Sequence, residues 1–407
     1  MHPQPAALLS VPVSRRWTTL YALAWFGFWM ASLVPLQLLI PQQLEAIAPD
    51  SKVSDFALVN AVSGVVALVA LPLFGTLCDR SRSRFGRRRL WLAAGAVAFA
   101  AGLIATGLQT TVAGVNVAWA LSMLGLSAAT AGLTAVIADR VPEHQRGMIS
   151  SAIYGPQALG VVVGIAVVAV FGLSTTSGFT LIAALLIVCT VPHLAASRDV
   201  PGTEAPLSIG RMVTSMGRSL RNREFVWAFG GRLLVNVANS LGTCYTLYYL
   251  TDSLQVPDPA DVLLLCTVAY LLAGLLATAV AGVLSDRLGR RRIFVALAAL
   301  LQASAGFLLA ASPTLPTTVI ASALMGGGFG AYMAVDQALI TQVLPDAASR
   351  AQDLGIMNIG AVVPPALAPL IASLFIDEGH GYPVLFTLVG ATAAVGALLV
   401  YRIRSVR

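Results

Sequence analysis

The sequence predicts an all-α integral membrane fold, twelve transmembrane helices in two pseudo-symmetric six-helix bundles, and three observations carry that prediction. The first is composition. Of 407 residues 57% are hydrophobic and only 11% are charged, too little polar surface for a water-soluble globule of this size. The second is that apolar runs of about 18 residues or more, each enough to cross about 30 Å of hydrocarbon, recur from end to end. Twelve such runs can be counted. The third is a charged block that occurs twice, at corresponding places in the two halves of the chain.

That block reads Gly75-Thr-Leu-Cys-Asp79-Arg80-Ser-Arg-Ser-Arg84-Phe-Gly86-Arg87-Arg-Arg89 and, in a shorter copy, Gly282-Val-Leu-Ser-Asp286-Arg287-Leu-Gly289-Arg290-Arg-Arg292. Each copy has Gly, three residues, Asp-Arg, then Gly followed by three arginines, which marks a repeated structural unit. Gly75 and Gly282 fall near the ends of apolar runs, where a missing side chain would let another backbone approach. Asp79 and Asp286 fall at a helix C-terminus, the wrong end of the macrodipole for an anion, so each needs an outside cation or the N-terminus of another helix.

Taken in order, span 1 covers about 18–40, span 2 about 56–77, span 3 about 90–108, span 4 about 112–137, span 5 about 149–171 and span 6 about 179–191. The stretch from His193 to Glu224 carries Pro201, Gly202, Pro206 and five arginines, and reads as the hinge between halves. The domain plan is therefore 1–192, a central loop 193–224, and 225–407. Span 7 covers about 225–250, span 8 about 262–284, span 9 about 293–311, span 10 about 317–340, span 11 about 354–375 and span 12 about 383–401. The connection after span 4, Val141-Pro142 through Arg146, is echoed by Leu344-Pro345 through Arg350.

With the N-terminus in the cytoplasm, the basic residues fall on the inner side apart from Lys52 and the intramembrane Arg232. The outer loops then hold Asp50, Asp252, Asp258, Asp261, Asp377 and Glu378. This asymmetry predicts a multi-pass protein of the cell membrane with both termini cytoplasmic. Trp17, Trp91, Trp227 and Tyr401 at the inner helix ends fit an aromatic belt. No cleaved signal peptide is expected in Met1 to Arg16. The net charge of +7 lies in short connections, which suits topology and argues against nucleic acid as a partner. Cys78, Cys189, Cys244 and Cys266 are scattered, as are His2, His144, His193 and His380, so no metal site is expected. An enzyme is not indicated either: no nucleophile and base pairing and no phosphate loop is present.

Twelve spans in two halves, with this doubled motif between spans 2 and 3 and between spans 8 and 9, resemble the major facilitator superfamily over essentially the whole chain. The resemblance implies two bundles that rock about a central site, with the motif residues Gly75, Asp79, Arg80, Gly86, Arg87, Gly282, Asp286, Arg287, Gly289 and Arg290 in a cytoplasmic gate. It gives Asp79 a partner near Asp353 to Gly355, and Asp286 one near Gly147. The Ser-Arg-Phe-Gly-Arg-Arg-Arg form of the first copy is similar to that of sucrose-type glycoside cation symporters. Proton-coupled drug antiporters carry a Gly-Pro pair deeper in span 5 than Gly155-Pro156, and Val161 stands where their proline falls.

Charges inside spans are costly and are functional candidates by default. Two are clear: Arg232 in span 7 and Asp336 in span 10, which by the resemblance sit at similar depth on cavity-lining helices. They are expected to form an ion pair, either a permanent structural one or one that proton or substrate binding disturbs. Arg232, Asn236, Asn239, Thr243 and Thr246 follow helical spacing and make one polar stripe, facing a cavity or a neighbouring helix. Tyr332 is one turn from Asp336. Tyr21, Trp25 and Trp29 make an aromatic stripe on span 1, and Trp119 shares a face of span 4 with Ser127, Thr130 and Thr134. Trp25 and Trp119 are thus candidates for substrate contact or for packing. Gly326, Gly327, Gly328 and Gly330 would let span 10 bend or pack closely, and Pro364, Pro365 and Pro369 would bend span 11.

The expectation is a secondary transporter for a small polar, sugar-like solute, a proton-coupled symporter working by alternating access and acting as a monomer in the lipid bilayer. It needs no cofactor beyond the coupling proton. Efflux of drugs or metabolites by antiport is the other mechanism, and a membrane sensor that kept the fold is the reading from another class.

Overall fold

The computed structural model describes residues 13–81, 86–142, 145–197, 222–343, 357, 360–361, 363–376 and 381–403. These residues are helical almost throughout. The helices are α1 (Arg15–Ile47), α2 (Lys52–Arg80), α3 (Arg87–Gly107), α4 (Val112–Arg140), α5 (Arg146–Val170) and α6 (Thr175–Ala196) in the first half. The second half contributes α7 (Arg223–Cys244), α8 (Pro259–Leu288), α9 (Arg291–Ala311), α10 (Leu315–Val343), α11 (Pro364–Ile376) and α12 (Gly381–Tyr401). Among the described residues nine helices are long and apolar enough to cross a bilayer, and α5 and α11 add shorter apolar stretches, Gly155–Val170 and Leu367–Ile376. The remaining helix, α7, is diluted by Arg232, Asn236 and Asn239.

Side-chain caps mark several starts. Ser14 accepts from the Trp17 amide at 3.2 Å, Thr111 from Gly114 at 3.1 Å and Asn222 from Glu224 at 2.9 Å, each satisfying an amide that the first helical turn leaves unpaired.

The helices outrun the apolar runs that announce them. A hydrophobic run marks only the part of a helix that sits in hydrocarbon, while backbone hydrogen bonding continues into polar flanks. The apolar run of span 1 stops near Ile40, yet α1 passes through a π-helical turn, Pro35–Leu39, and continues to Ile47. The buried Gln43 holds the extra turns by donating to the carbonyls of Thr106 at 2.8 Å and Gln109 at 2.9 Å. Span 6 likewise runs past Val191 and through Pro192 to Ala196, so His193 belongs to a helix and not to the central loop. Span 7 departs the other way. Its regular part ends at Cys244, and after Tyr245 the chain forms one turn, Thr246–Tyr248, and a π-helical turn, Tyr249–Ser253.

The chain forms two compact units, residues 1–52 with 62–207 and residues 53–61 with 208–407. In the first unit α3 packs along α4 and α6, and α1 along α5 and α6. In the second, α10 lies between α8 and α9, while α12 packs on α9 and α7, with α11 also against α7. Residues 53–61, from the start of α2, belong with the second unit, where the Tyr245 hydroxyl donates to the Val53 carbonyl at 3.3 Å and to the Pro369 carbonyl at 2.9 Å.

The glycines of α10 resolve the choice between bending and close packing in favour of packing. A Cβ on Gly326 would overlap the Tyr270 carbonyl, and one on Gly330 the Gly274 carbonyl, both in α8. A Cβ on Gly328 would meet the Ala298 carbonyl of α9 at 2.7 Å. Three missing side chains thus let α10 touch the backbones of two neighbours, and the Thr278 hydroxyl of α8 donates across to the Gly330 carbonyl at 3.0 Å. The motif glycines behave differently. Among the described residues nothing lies within 4 Å of a Cβ placed on Gly75, and Gly282 has only the Ala334 Cβ at 3.9 Å. Among the described residues no backbone stands close to either glycine.

The packing argument predicts opposite outcomes for two small substitutions. Gly330→Val should destabilise the protein by at least about 2 kcal/mol, because neither backbone can yield, whereas Gly155→Ala, whose added Cβ meets nothing within 4 Å among the described residues, should be neutral or stabilising by up to about 1 kcal/mol. Thermal unfolding of the detergent-purified variants measures both.

Candidate functional site

The site in the second unit is built on α7 and α10. Asn222 caps α7, and the buried Phe225, Ala228 and Val235 set the face that turns inward. Arg232 lies on that face, 4% exposed, and Asp336 of α10 is equally buried at 4%. The Arg232 Nη1 donates to the Asp336 Oδ2 in a direct ion pair. Around it is an apolar cluster that includes Phe225, Val235, Val295, Tyr332, Val335, Leu339 and Met357. Gly360 adds to the wall: a Cβ there would stand 3.6 Å from the Arg232 Cγ.

Polar partners extend from the pair along α7. The Asn236 amide donates to the Arg232 carbonyl at 2.8 Å and to the Tyr332 hydroxyl at 3.2 Å, so it ties α7 to α10 one turn beyond the ion pair. Tyr332, 1% exposed, stands beside the Asp336 carboxylate. Another turn on, the Asn239 Oδ1 accepts from the Tyr270 hydroxyl of α8 at 2.9 Å. Thr243 donates to the Asn239 carbonyl of its own helix at 2.9 Å, and Thr246, in the turn that follows α7, donates back to the Thr243 carbonyl at 3.1 Å. The stripe read from the sequence therefore has two kinds of member. Arg232, Asn236 and Asn239 face neighbouring helices, and the threonines, which are half-buried, satisfy themselves on backbone. Tyr270 is a site residue that the sequence pattern does not bring forward; its visible signal is a lone tyrosine one turn before Gly274 in an apolar run.

In the first unit the aromatic stripe of α1 is mostly engaged in packing. The Tyr21 hydroxyl donates to the Leu133 carbonyl of α4 at 3.0 Å and the Trp29 indole to the Ile153 carbonyl of α5 at 2.8 Å. Trp25 lies between them, 6% exposed, its ring 6.4 Å from Tyr21 and 5.7 Å from Trp29. Its indole N–H, and that of the fully buried Trp119, have no partner among the described residues. Ser127 is buried, while Thr130 and Thr134 bond to their own helix at 2.8 and 2.7 Å. At the other end of α1, Trp17 stacks on Tyr21 at 5.0 Å, and His193 meets both rings at 5.6 and 5.4 Å. Hydropathy hides this histidine because it lies beyond the end of the apolar run of span 6.

The doubled Asp-Arg motif is described in part. Asp79 and Arg80 close α2, and Asp286 and Arg287 lie in the last turn of α8, where the macrodipole is unfavourable to the two carboxylates. Gly289 then takes a left-handed conformation, φ +62°, which ends α8. Gly86, at φ +98°, precedes α3. The side chains of Asp79, Arg80, Arg87 and Asp286, the partner segment Asp353 to Gly355, and His2, His144 and His380 lie outside the described residues. Arg287 and Arg290 are exposed. Among the described residues no group of His, Cys, Asp or Glu is placed to hold a metal.

A family model described as Major Facilitator Superfamily matches residues 17–266 and 246–407. The chain belongs to the Major Facilitator Superfamily. Its fold is similar to that of the peptide transporter POT in complex with sulfate, with a TM-score of 0.75 at 15% identity over 98% of each chain. It is equally similar to that of the nucleoside transporter NupG, with a TM-score of 0.75 at 14% identity over 96% of this chain and 100% of that one. Among curated proteins no relative matches. This superfamily member is therefore a multi-pass membrane transporter. Identities this low speak for the fold and leave the solute open.

A buried ion pair in such a protein predicts strongly non-additive substitutions. Arg232→Met or Asp336→Leu alone should cost about 3–5 kcal/mol, since each leaves a buried charge unpaired, while the double variant should recover most of the loss. Unfolding midpoints for the four members of the cycle test this.

Proposed function

We propose that this protein is a secondary active transporter that moves a small polar, sugar-like solute across the cell membrane by alternating access, coupled to protons as a symporter. The observation that carries the reading is the Arg232–Asp336 pair, buried in an apolar cluster and tied through Asn236 to Tyr332. A carboxylate in that setting keeps its charge only while the guanidinium stays beside it. Protonation of Asp336 neutralises it and releases Arg232, whose charge then requires another acceptor. A polar solute offering oxygen acceptors is one such group, and proton and solute would load together.

The sugar-like class is supported by the Ser-Arg-Phe-Gly-Arg-Arg-Arg form of the first motif copy, and by two amides of α7, Asn236 beside the pair and Asn239 one turn further along, of the kind that bind hydroxyl groups. Antiport is the weaker reading because Val161 stands where antiporters of this superfamily place a proline.

Asp336→Asn keeps the shape of the side chain and removes its titration. In proteoliposomes it should abolish accumulation driven by a pH gradient while sparing solute exchange across the membrane. Undiminished accumulation by the variant would reject the coupling role. The solute itself is sought by thermal shift against sugars, polyols, organic anions and lipophilic cations, since a ligand that favours the folded state raises its melting temperature. A sugar or polyol that stabilises the wild type and not Asn236→Ala supports the symporter reading. Stabilisation by lipophilic cations alone would favour efflux.

A further inference from the structure

At the end of the second unit where α7 and α9 begin and α12 ends, Arg223, Glu224, Trp227, Arg292, Tyr401 and Arg402 line a cavity of about 760 Å³. A second cavity of about 430 Å³, lined by Leu288, Gly289, Arg290, Arg292 and Ile293, shares Arg292 with it. The first lining has three arginines against one glutamate, a net charge of +2.

Two of the arginines are held in place by aromatic rings. The Arg292 guanidinium lies 5.1 Å from the centre of the Tyr401 ring, and that of Arg402 lies 5.3 Å from the centre of the Trp227 ring. Stacking of this kind orients a guanidinium without consuming its N–H groups. Arg292 spends its Nη1 on the Ile403 carbonyl at 2.6 Å, while its buried Nε has no partner among the described residues. Glu224, in the first turn of α7, sits where a carboxylate is favoured by the helix dipole. Both α7 and α9 start at this end, and α9 starts without a side-chain cap, so its first amides add to the positive field.

The surroundings place this cluster at a lipid boundary. Tyr401, 60% exposed, ends the apolar α12, and Leu398 on the same helix and Leu288 at the end of α8 are 64% and 56% exposed. An arginine-rich cavity opening beside exposed aromatic and leucine side chains matches a ligand with an anionic head and an apolar tail. We propose that this groove binds the headgroup of an anionic phospholipid, with Arg223, Arg292 and Arg402 on the phosphate and Trp227 and Tyr401 at the level of the glycerol backbone. It is separate from the ion-pair site, and its occupant is a component of the bilayer rather than the transported solute.

The test uses the full chain in an uncharged detergent. Thermal unfolding is followed with added phosphatidylglycerol, phosphatidylcholine, or glycerol 1-phosphate with inorganic phosphate at the same phosphate concentration. Phosphatidylglycerol should raise the midpoint by about 5 °C at saturation, and the other additions should not. Arg402→Gln and Arg223→Gln, both at exposed positions, should each keep the lipid-free midpoint and weaken the response to phosphatidylglycerol about ten-fold in lipid concentration. Equal stabilisation by phosphatidylcholine, an unchanged response in both variants, or a full response to the soluble phosphates would each overturn the assignment.

Discussion

Hydrocarbon cannot solvate a charge, and the second half of this protein is arranged around meeting that constraint once. Arg232 and Asp336 remain buried because each is the other's solvent. Their pairing fixes the rotation of α7 about its axis and the depth of α10 beside it. With those set, Asn236 faces Tyr332, and Asn239, one turn further along, faces Tyr270 of α8. The polar side chains of α7 thus reach two neighbouring helices in succession, each at the height where a partner waits.

The depth of α10 has a second determinant. Gly326 and Gly330 rest against backbone of α8, and Gly328 against α9, so the helix is gripped on both sides about two turns from Asp336. Backbone against backbone leaves little room for sliding. A carboxylate mounted on such a rod moves little on its own, and a change in its charge state must be answered by the groups around it. The nearest of these are the Arg232 guanidinium and the Asn236 and Tyr332 side chains, which can rotate while the helices hold still. The proposed proton coupling through Asp336 is therefore more naturally a rearrangement of side chains at a fixed carboxylate than a displacement of α10.

Much of this is legible in the sequence, and the failures share a cause. Composition and the doubled Asp-Arg block reveal the membrane class and the two-fold plan, because the bilayer imposes length and polarity on every span. Arg232 and Asp336 stand out as the intramembrane charges. Hydropathy, however, measures the bilayer and not the helix, so it misses the last turns of α1 and α6, and with them Gln43 and His193. The helical stripe on α7 identifies its polar members but not what each one touches. The direction a side chain takes depends on which helix is adjacent, and Tyr270, which claims Asn239, belongs to a span whose own pattern is almost uniformly apolar. At Gly75 and Gly282 no close approach is made among the described residues: a glycine permits one, but only a neighbour at that height makes it.

The arginines of the second unit show how location changes what the same side chain must do. In the bundle interior Arg232 is paired with a carboxylate, a full opposite charge. At the helix ends, Arg292 and Arg402 lie where water and lipid headgroups already compete for them, and they are held by the faces of Tyr401 and Trp227 instead. A ring face attracts the cation without neutralising it. Glu224 is the one carboxylate lining their cavity among the described residues, against three guanidiniums, so the charge there exceeds what the protein compensates among those side chains. A fully paired cluster would only stiffen the helix ends. An excess of oriented donors, bordered by exposed leucines on α8 and α12, is the arrangement expected where the missing anion comes from the membrane itself.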